Sequence, residues 1–139
     1  MKSIHILLVE DNEGDILLTT EALQESRIIN KVTVIKDGKK AIDFFESIAK
    51  EDIPDMVLLD INLPKKNGIE VLHYIKSSVK YKQVPVIMLT TSSSESDILN
   101  SYKNYVNCYI TKPIEAHDFI NAVAKIEDFW INIVTIPKE

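Results

Sequence analysis

Five short apolar runs, three of them almost continuous, limit what this chain can fold into more than any other feature of its sequence. The three strongest cover residues 4–9, 56–59 and 86–89, and two weaker ones cover residues 32–35 and 108–110. A strand with one wet face alternates apolar and polar residues, whereas a strand covered on both faces is apolar throughout. The runs therefore predict a parallel sheet with helices on each side.

The segments between the runs carry helical periodicity. Apolar residues at spacings of three and four form two stripes, Ile69, Leu72, Ile75 and Val79 in one and Phe119, Val123, Ile126 and Trp130 in the other. Turn signals mark two junctions, Asp37-Gly38 after the second run and Asn67-Gly68 before the third helix. We therefore predict five βα units with right-handed crossovers. They form one domain over residues 1–139, with a core of about 3–128 and an apolar C-terminal extension over 129–139.

The composition narrows the classes of partner and the cellular setting. The formal net charge is −5 and no long basic run occurs, which argues against a direct nucleic-acid partner. Cys108 is the single cysteine, so an internal disulfide is excluded and a reducing, cytoplasmic setting is expected. The first apolar run is too short for a signal peptide or a membrane span, so no membrane partner is expected.

Polar residues follow four of the five predicted strands at the point where each strand ends. Glu10 and Asp11 follow the first run, Asp60 the third, Thr90 the fourth and Lys112 the fifth. Each of them alone is most often an ordinary cap, turn or strand residue. Because the carboxyl ends of parallel strands meet at one edge of a sheet, the set is expected to converge into a functional site there.

The residue types at this edge point to metal-assisted phosphoryl transfer. Three carboxylates in one place repel each other and require a cation, and oxygen ligands without His or Cys favour Mg²⁺ or Mn²⁺. A carboxylate beside such a metal can attack phosphorus. Lys112 would supply a point charge to the phosphoryl oxygens, and Thr90 would supply a neutral hydroxyl donor.

Four motifs resemble the receiver domains of bacterial response regulators. They are V-E-D-N (9–12), L-L-D-I-N-L-P-K-K-N-G (58–68), P-V-I-M-L-T-T (85–91) and Y-I-T-K-P (109–113). The resemblance implies an α/β, flavodoxin-like (βα)5 three-layer sandwich whose parallel sheet has the strand order 2-1-3-4-5. It also implies a role in a two-component phosphorelay, as a phosphoacceptor rather than an enzyme.

The same resemblance implies a role for individual residues. Asp60 matches the phosphoacceptor and Asp11 the direct metal ligand. Glu10 matches the partner acid that reaches the metal through water, and Asn62 matches the residue whose backbone carbonyl binds the metal. Thr90 and Lys112 match the hydroxyl and the lysine of the site. Tyr109 matches the aromatic residue that switches with Thr90 and alters the face formed by helix four, strand five and helix five.

A narrower set of motifs is similar to the small regulators partnered with phytochrome-type sensor histidine kinases. These are E-D-N-x-G-D-I-x-L (10–18), L-T-T-S-S (89–93), N-C-Y-I-T-K-P (107–113) and I-E-D-F-W (126–130). The resemblance implies a sensor histidine kinase as partner. It places the kinase interface on the start of helix one and the loop after strand five, at Gly14, Asp15, Leu18, Pro113 and Ile114.

The end of the chain is unusually apolar for a surface segment. After the stripe of the predicted fifth helix come Phe129, Ile131, Ile133, Val134 and Ile136. An exposed apolar patch of that size normally marks a partner surface. We therefore expect a symmetric homodimer through helix four, strand five, helix five and the tail. The alternative is that the tail covers its own core.

Three other classes of protein compete with this interpretation. A receiver-like interaction domain would share the fold with little phosphorylation. An aspartate-nucleophile phosphatase would need a second acid two residues after Asp60, where this chain has Asn62. A flavin carrier would need to hold a phosphate in the loop after strand one, but the acids there, Glu10 and Asp11, would repel it.

Overall fold

The sheet predicted from the apolar runs is present in the structure, a computed structural model that describes residues 4–26, 31–90 and 95–112 and positions 115, 117 and 121. The strands are β1 (His5–Val9), β2 (Lys31–Ile35), β3 (Met56–Asp60), β4 (Val86–Thr90) and β5 (Cys108–Thr111). The helices are α1 (Glu13–Ser26), α2 (Gly38–Ser47), α3 (Gly68–Ser77) and α4 (Glu95–Lys103), with a short 3-10 turn at Lys50–Asp52. The four strand pairs within the described residues are parallel, and the strand order 2-1-3-4-5 confirms the predicted fold class.

Both faces of the sheet are covered, which explains the continuous apolar runs. Ile6 and Leu8 of β1 point to one face, where they join a cluster that includes Leu23 of α1. Leu7 and Val9 point to the other face, in a cluster that includes side chains of α2 and α3, among them Phe45 and Leu72. Each central strand therefore buries both of its side-chain rows, and the described helices on the two faces give a three-layer arrangement.

The turn signals in the sequence are helix N-caps. The Asp37 carboxylate accepts a hydrogen bond from the Lys40 backbone N–H at 2.7 Å at the start of α2. At the start of α3, the Asn67 side chain accepts from the Glu70 backbone N–H at 2.9 Å, and the Glu70 carboxylate accepts from the Asn67 backbone N–H at 3.3 Å. This reciprocal capping box fixes where α3 begins, after the loop that leaves β3.

One member of the stripe predicted for the third helix was placed wrongly. Val79 lies beyond the end of α3 and is 86% exposed, because the backbone turns to an extended conformation at Ser78. The side chain that enters the core after this turn is Tyr81, whose hydroxyl donates to the Phe45 carbonyl at 2.6 Å. Tyr81 therefore anchors the α3–β4 connection against α2, a role that a helical periodicity does not reveal.

The predicted fifth helix and the apolar extension over residues 129–139 fall almost entirely outside the described residues. The helix stripe from Phe119 to Trp130, the dimer face and the single-domain boundaries consequently remain predictions. Among the helices that the structure does describe, none combines the length and the apolar character needed to cross a membrane.

Helix α4 ends in a Schellman motif with an unusual residue at its left-handed position. The Val106 N–H donates to the Ser101 carbonyl at 3.0 Å, and the Tyr105 N–H donates to the Tyr102 carbonyl at 3.0 Å. Tyr105 has a φ of 66° and a side chain that is 76% exposed. Glycine is the usual residue here because it has no Cβ to strain this conformation.

Replacing Tyr105 by Gly is therefore expected to stabilise the protein by about 0.5–1 kcal/mol. Urea unfolding followed by circular dichroism measures the change. Tyr102→Gly is the matched control, because it makes the same replacement at an exposed position within α4, where the lower helix propensity of Gly should cost about 0.5 kcal/mol. Destabilisation by both replacements would show that the Tyr105 side chain contributes more than its backbone strain costs.

Candidate functional site

Three carboxylates lie together at the carboxyl edge of the sheet. Glu10 follows β1, Asp11 comes next, and Asp60 ends β3, so parallel pairing of β1 with β3 brings them side by side. One oxygen from each lies within 4.8 Å of the others. Glu10 and Asp60 are 1% and 6% exposed, whereas Asp11 is exposed to solvent. Two of the acids are thus embedded in protein and the third faces outward.

Lys112 places one ammonium group among these acids. It follows β5, and its side chain is only 6% exposed. The Nζ atom donates hydrogen bonds to Glu10 Oε1 and to Asp15 Oδ2, the second at 2.9 Å, and lies 3.4 Å from Asp60 Oδ2. The charge of a buried cation is therefore shared among three carboxylates, two from the β1–α1 junction and one from the end of β3.

Burial and pairing set the protonation behaviour of this group. Burial of Glu10 raises the pKa of its carboxyl, and the hydrogen bond from Lys112 opposes that rise. Burial alone would lower the pKa of Lys112, but its hydrogen bonds to Glu10 and Asp15, together with the charges of Asp60 and Glu10, outweigh burial and raise that pKa. Lys112 is therefore a permanent cation at neutral pH.

Backbone N–H groups hold two of the acids in place. The Asn12 N–H donates to Glu10 Oε2 at 3.2 Å, and the Asn62 N–H donates to Asp60 Oδ1 at 3.4 Å. Asn12 also caps α1, since its side-chain oxygen accepts from the Asp15 N–H at 2.9 Å. The loops after β1 and β3 consequently orient the carboxylates that they carry.

Two glycines allow the loop after β3 to pack tightly against its surroundings. A Cβ on Gly68 would lie 2.1 Å from the Asp60 carbonyl oxygen, and one on Gly38 would lie 1.8 Å from the Lys66 carbonyl oxygen. Both approaches are to backbone atoms, which cannot rotate away as a flexible side chain can. The loop that follows Asp60 is thus clamped between the first turns of α2 and α3.

Of the other predicted site residues, Thr90 lies at the end of a strand, Tyr109 inside β5 and Asn62 in the loop after β3. Thr90 ends β4 and pairs with Thr111, but its side chain is not among those described. Tyr109 pairs with Met88 and is half-buried against the cluster on the α2–α3 face. The Asn62 side chain is exposed. The metal contact predicted for the Asn62 backbone carbonyl stays a prediction.

The predicted kinase interface is described on its helical side only. Gly14 and Leu18 lie exposed on α1, Leu18 with 50% of its surface accessible. Pro113 and Ile114 lie outside the described residues. Asp15 also belongs to this set, but its carboxylate contacts Lys112. The sequence analysis did not predict this contact. The sequence feature that could have suggested it is a carboxylate in the first turn of α1, the helix that follows Glu10 and Asp11.

The donor set suits a hard divalent cation. The three acids provide oxygen donors and no nitrogen or sulfur, and Asp11 is open to solvent, as a metal that keeps several waters requires. Residues at positions 10, 11 and 60 would hold the ion, while Lys112 supplies a second positive charge beside Asp60. A carboxylate flanked by two cations is suited to receive a phosphoryl group.

Comparisons with known proteins agree with this chemistry. Residues 6–124 match the family described as the response regulator receiver domain. Response regulator Rcp1 from Synechocystis sp. is 42% identical over 135 residues, which cover 95% of this chain and 92% of that protein. The crystal structure of the phosphorylated cyanobacterial phytochrome response regulator RcpA has a TM-score of 0.77 and 42% identity, and the match covers 99% of this chain and 100% of that one. The Mn²⁺-bound form of Rcp1 has a TM-score of 0.74 and 41% identity, with 97% and 99% covered.

Proposed function

The chain belongs to the family of response regulator receiver domains, and on that premise we propose that Asp60 accepts a phosphoryl group from a sensor histidine kinase. The observation that carries the proposal is the position of Asp60, buried at the end of β3 beside two acids and the Lys112 ammonium. A similar regulator, RcpA, has been crystallised in its phosphorylated form. The function proposed is that of a phosphoacceptor and signal carrier in a two-component relay rather than that of an enzyme with turnover.

The proposed transfer is balanced as a single displacement. A carboxylate oxygen of Asp60 forms a bond to phosphorus, the P–N bond of the kinase phosphohistidine breaks, and the imidazole nitrogen keeps the electron pair and takes up a proton. Lys112 neutralises charge on the phosphoryl oxygens. Mg²⁺ or Mn²⁺, held by Glu10, Asp11, Asp60 and the Asn62 carbonyl, would supply further charge neutralisation.

The first test is labelling by a small donor in the presence and absence of metal. Incubation with acetyl phosphate and Mg²⁺ is expected to add one phosphoryl group per chain. Addition of EDTA should prevent it, because without the metal one lysine leaves the three acids with a net negative charge that repels the anionic donor. Intact-mass spectrometry measures the stoichiometry. If the chain stays unlabelled with Mg²⁺ by both acetyl phosphate and a panel of histidine kinases, it is a receiver-like interaction domain and the proposal fails.

A phytochrome-type kinase is the partner that the relatives favour, and the exposed start of α1 is the proposed docking face. Leu18→Glu is expected to slow transfer from the kinase by about tenfold or more while leaving labelling by acetyl phosphate unchanged, because it puts a charge on an apolar anchor. Val79→Glu is the control, since Val79 is even more exposed but follows the end of α3, at the opposite edge of the sheet. If Leu18→Glu slows labelling by the kinase and by acetyl phosphate equally, the replacement has damaged the fold instead.

Two parts of the proposal concern the phosphorylated state. Thr90 would move toward the phosphoryl group and allow Tyr109 to turn inward, which changes the face formed by α4, β5 and the predicted fifth helix. Half-burial of Tyr109 beside Met88 is compatible with a second, more buried position.

We also propose a homodimer through this face and the C-terminal extension, to be tested by light scattering on the full chain with and without phosphate.

A further inference from the structure

Asp15 is the partner of Lys112 that the proposed transfer reaction does not use. The Lys112 Nζ atom donates to Asp15 Oδ2 at 2.9 Å, whereas its distance to Asp60 Oδ2 is 3.4 Å. Asp15 is not in the group of three acids whose oxygens lie together. The lysine is thus hydrogen-bonded to a carboxylate outside the acid cluster while it remains only within ion-pair distance of the proposed phosphoacceptor.

The position of the Asp15 carboxylate is fixed by the start of α1. Its backbone N–H donates to the Asn12 side chain at 2.9 Å, which makes it the third residue after the helix cap. A negative charge in the first turn of a helix is also favoured by the helix dipole. Its side chain is 31% exposed, against 6% for Lys112. Asp15 is therefore an anchor with a defined place, to which the longer lysine side chain attaches.

We propose that Asp15 is a positioning residue that holds the Lys112 ammonium back from Asp60 and so limits how much of its charge reaches a phosphoryl group there. The proposal rests on phosphorylation of Asp60. Lys112 has three N–H donors and three carboxylate partners, and when the acids at positions 10 and 60 are engaged by a cation, Asp15 remains as the competing anion. The N–H donors of Lys112 are then shared between Asp15 and the phosphoryl oxygens.

Removing the charge of Asp15 should move two measurable quantities in opposite directions. Lys112 would shift toward Asp60, so the labelling rate at saturating Mg²⁺ should rise. The same shift brings the ammonium into competition with Mg²⁺ for Glu10 and Asp60, so the affinity for Mg²⁺ should fall. A change that merely damaged the site would lower the rate and the affinity together.

The experiment compares Asp15→Asn with the wild type by labelling with acetyl phosphate, a donor that bypasses the kinase interface. Asp15→Asn is expected to raise the rate at saturating Mg²⁺ by about threefold and to raise the Mg²⁺ dissociation constant by a similar factor, the range of one partly exposed ion pair. Calorimetric titration with Mg²⁺ measures the affinity independently of labelling. Asp15→Glu keeps the carboxylate and should restore both values toward those of the wild type.

Glu13→Gln is the matched control, because it removes one negative charge from the same helical turn but from a residue paired with Lys36 rather than Lys112. It should leave the rate and the Mg²⁺ affinity close to wild type. If Asp15→Asn behaves like Glu13→Gln, or if it lowers both the labelling rate and the Mg²⁺ affinity, the inference about Asp15 is wrong while the proposed function stands. Absence of label on wild-type Asp60 defeats the proposed function instead, and the Mg²⁺ titrations then still decide whether Asp15 positions Lys112.

Discussion

Replacing Asp60 by Asn is expected to abolish Mg²⁺-dependent labelling by acetyl phosphate and by the kinase. The amide of Asn has nearly the same shape as the carboxylate, but it has no anionic oxygen to form the bond to phosphorus. The fold should persist, because the change removes one of three mutually repelling acids while sacrificing a 3.4 Å ion pair with Lys112. We expect the free energy of unfolding to change by no more than about 1 kcal/mol.

Asp37→Asn provides the control for this replacement. Asp37 is a buried acid at the same edge of the sheet, 9% exposed against 6% for Asp60, but it caps α2 and lies outside the acid cluster. Asn caps helices about as well as Asp, so this variant should fold and label normally. Full labelling of Asp60→Asn at another residue, with Asp37→Asn unaffected, would show that the phosphoacceptor was assigned wrongly.

The fold was predictable because its strongest sequence signal, the nearly continuous apolar runs, follows directly from a sheet that is covered on both faces. Strands buried on both faces are apolar at almost every position, and β1, β3 and β4 each contain a run of four apolar residues with one polar residue at an end of the strand. Turn residues then located the starts of α2 and α3, since Asp37 and Asn67 proved to be caps. Convergence of the acids followed from parallel pairing alone, without any knowledge of side-chain positions.

The features that were missed depend on contacts between distant positions. Asp15 and Lys112 are separated by 97 positions, and nothing in a single sequence couples them. Whether Asp15 turns outward to a partner or inward to Lys112 depends on the direction in which α1 leaves the sheet. Val79 was misplaced for a related reason. The chain leaves the helical conformation at Ser78, and the residue that enters the core is Tyr81, which is held by a hydrogen bond to Phe45, 36 positions earlier.

Replacing Gly68 by Ala is expected to destabilise the protein by about 3 kcal/mol or more, because the added Cβ meets backbone atoms rather than a movable side chain. It would lie 2.1 Å from the Asp60 carbonyl oxygen and 2.7 Å from the Ile61 Cα. The Gly68 N–H also donates to the Ile61 carbonyl at 2.8 Å, which holds the two segments together. Relief of the clash requires the loop after β3 and the start of α3 to move apart, with loss of that hydrogen bond. Urea unfolding measures the loss.

The same replacement should affect function as well as stability, because the atom that the new Cβ would strike belongs to the proposed phosphoacceptor. Displacement of the Asp60 backbone moves its carboxylate relative to Glu10 and Lys112, so labelling of the folded fraction should slow even at low temperature. Gly14→Ala is the control, since its Cβ would meet one side-chain atom, Asn12 Oδ1, at 3.3 Å, a contact that a shift of a few tenths of an ångström relieves. Alanine is also the better helix former, so the change in stability there should stay within about 1 kcal/mol. If Gly68→Ala unfolds at the same urea concentration as Gly14→Ala and is labelled at the same rate, the close approach of α3 to Asp60 places no constraint on the site.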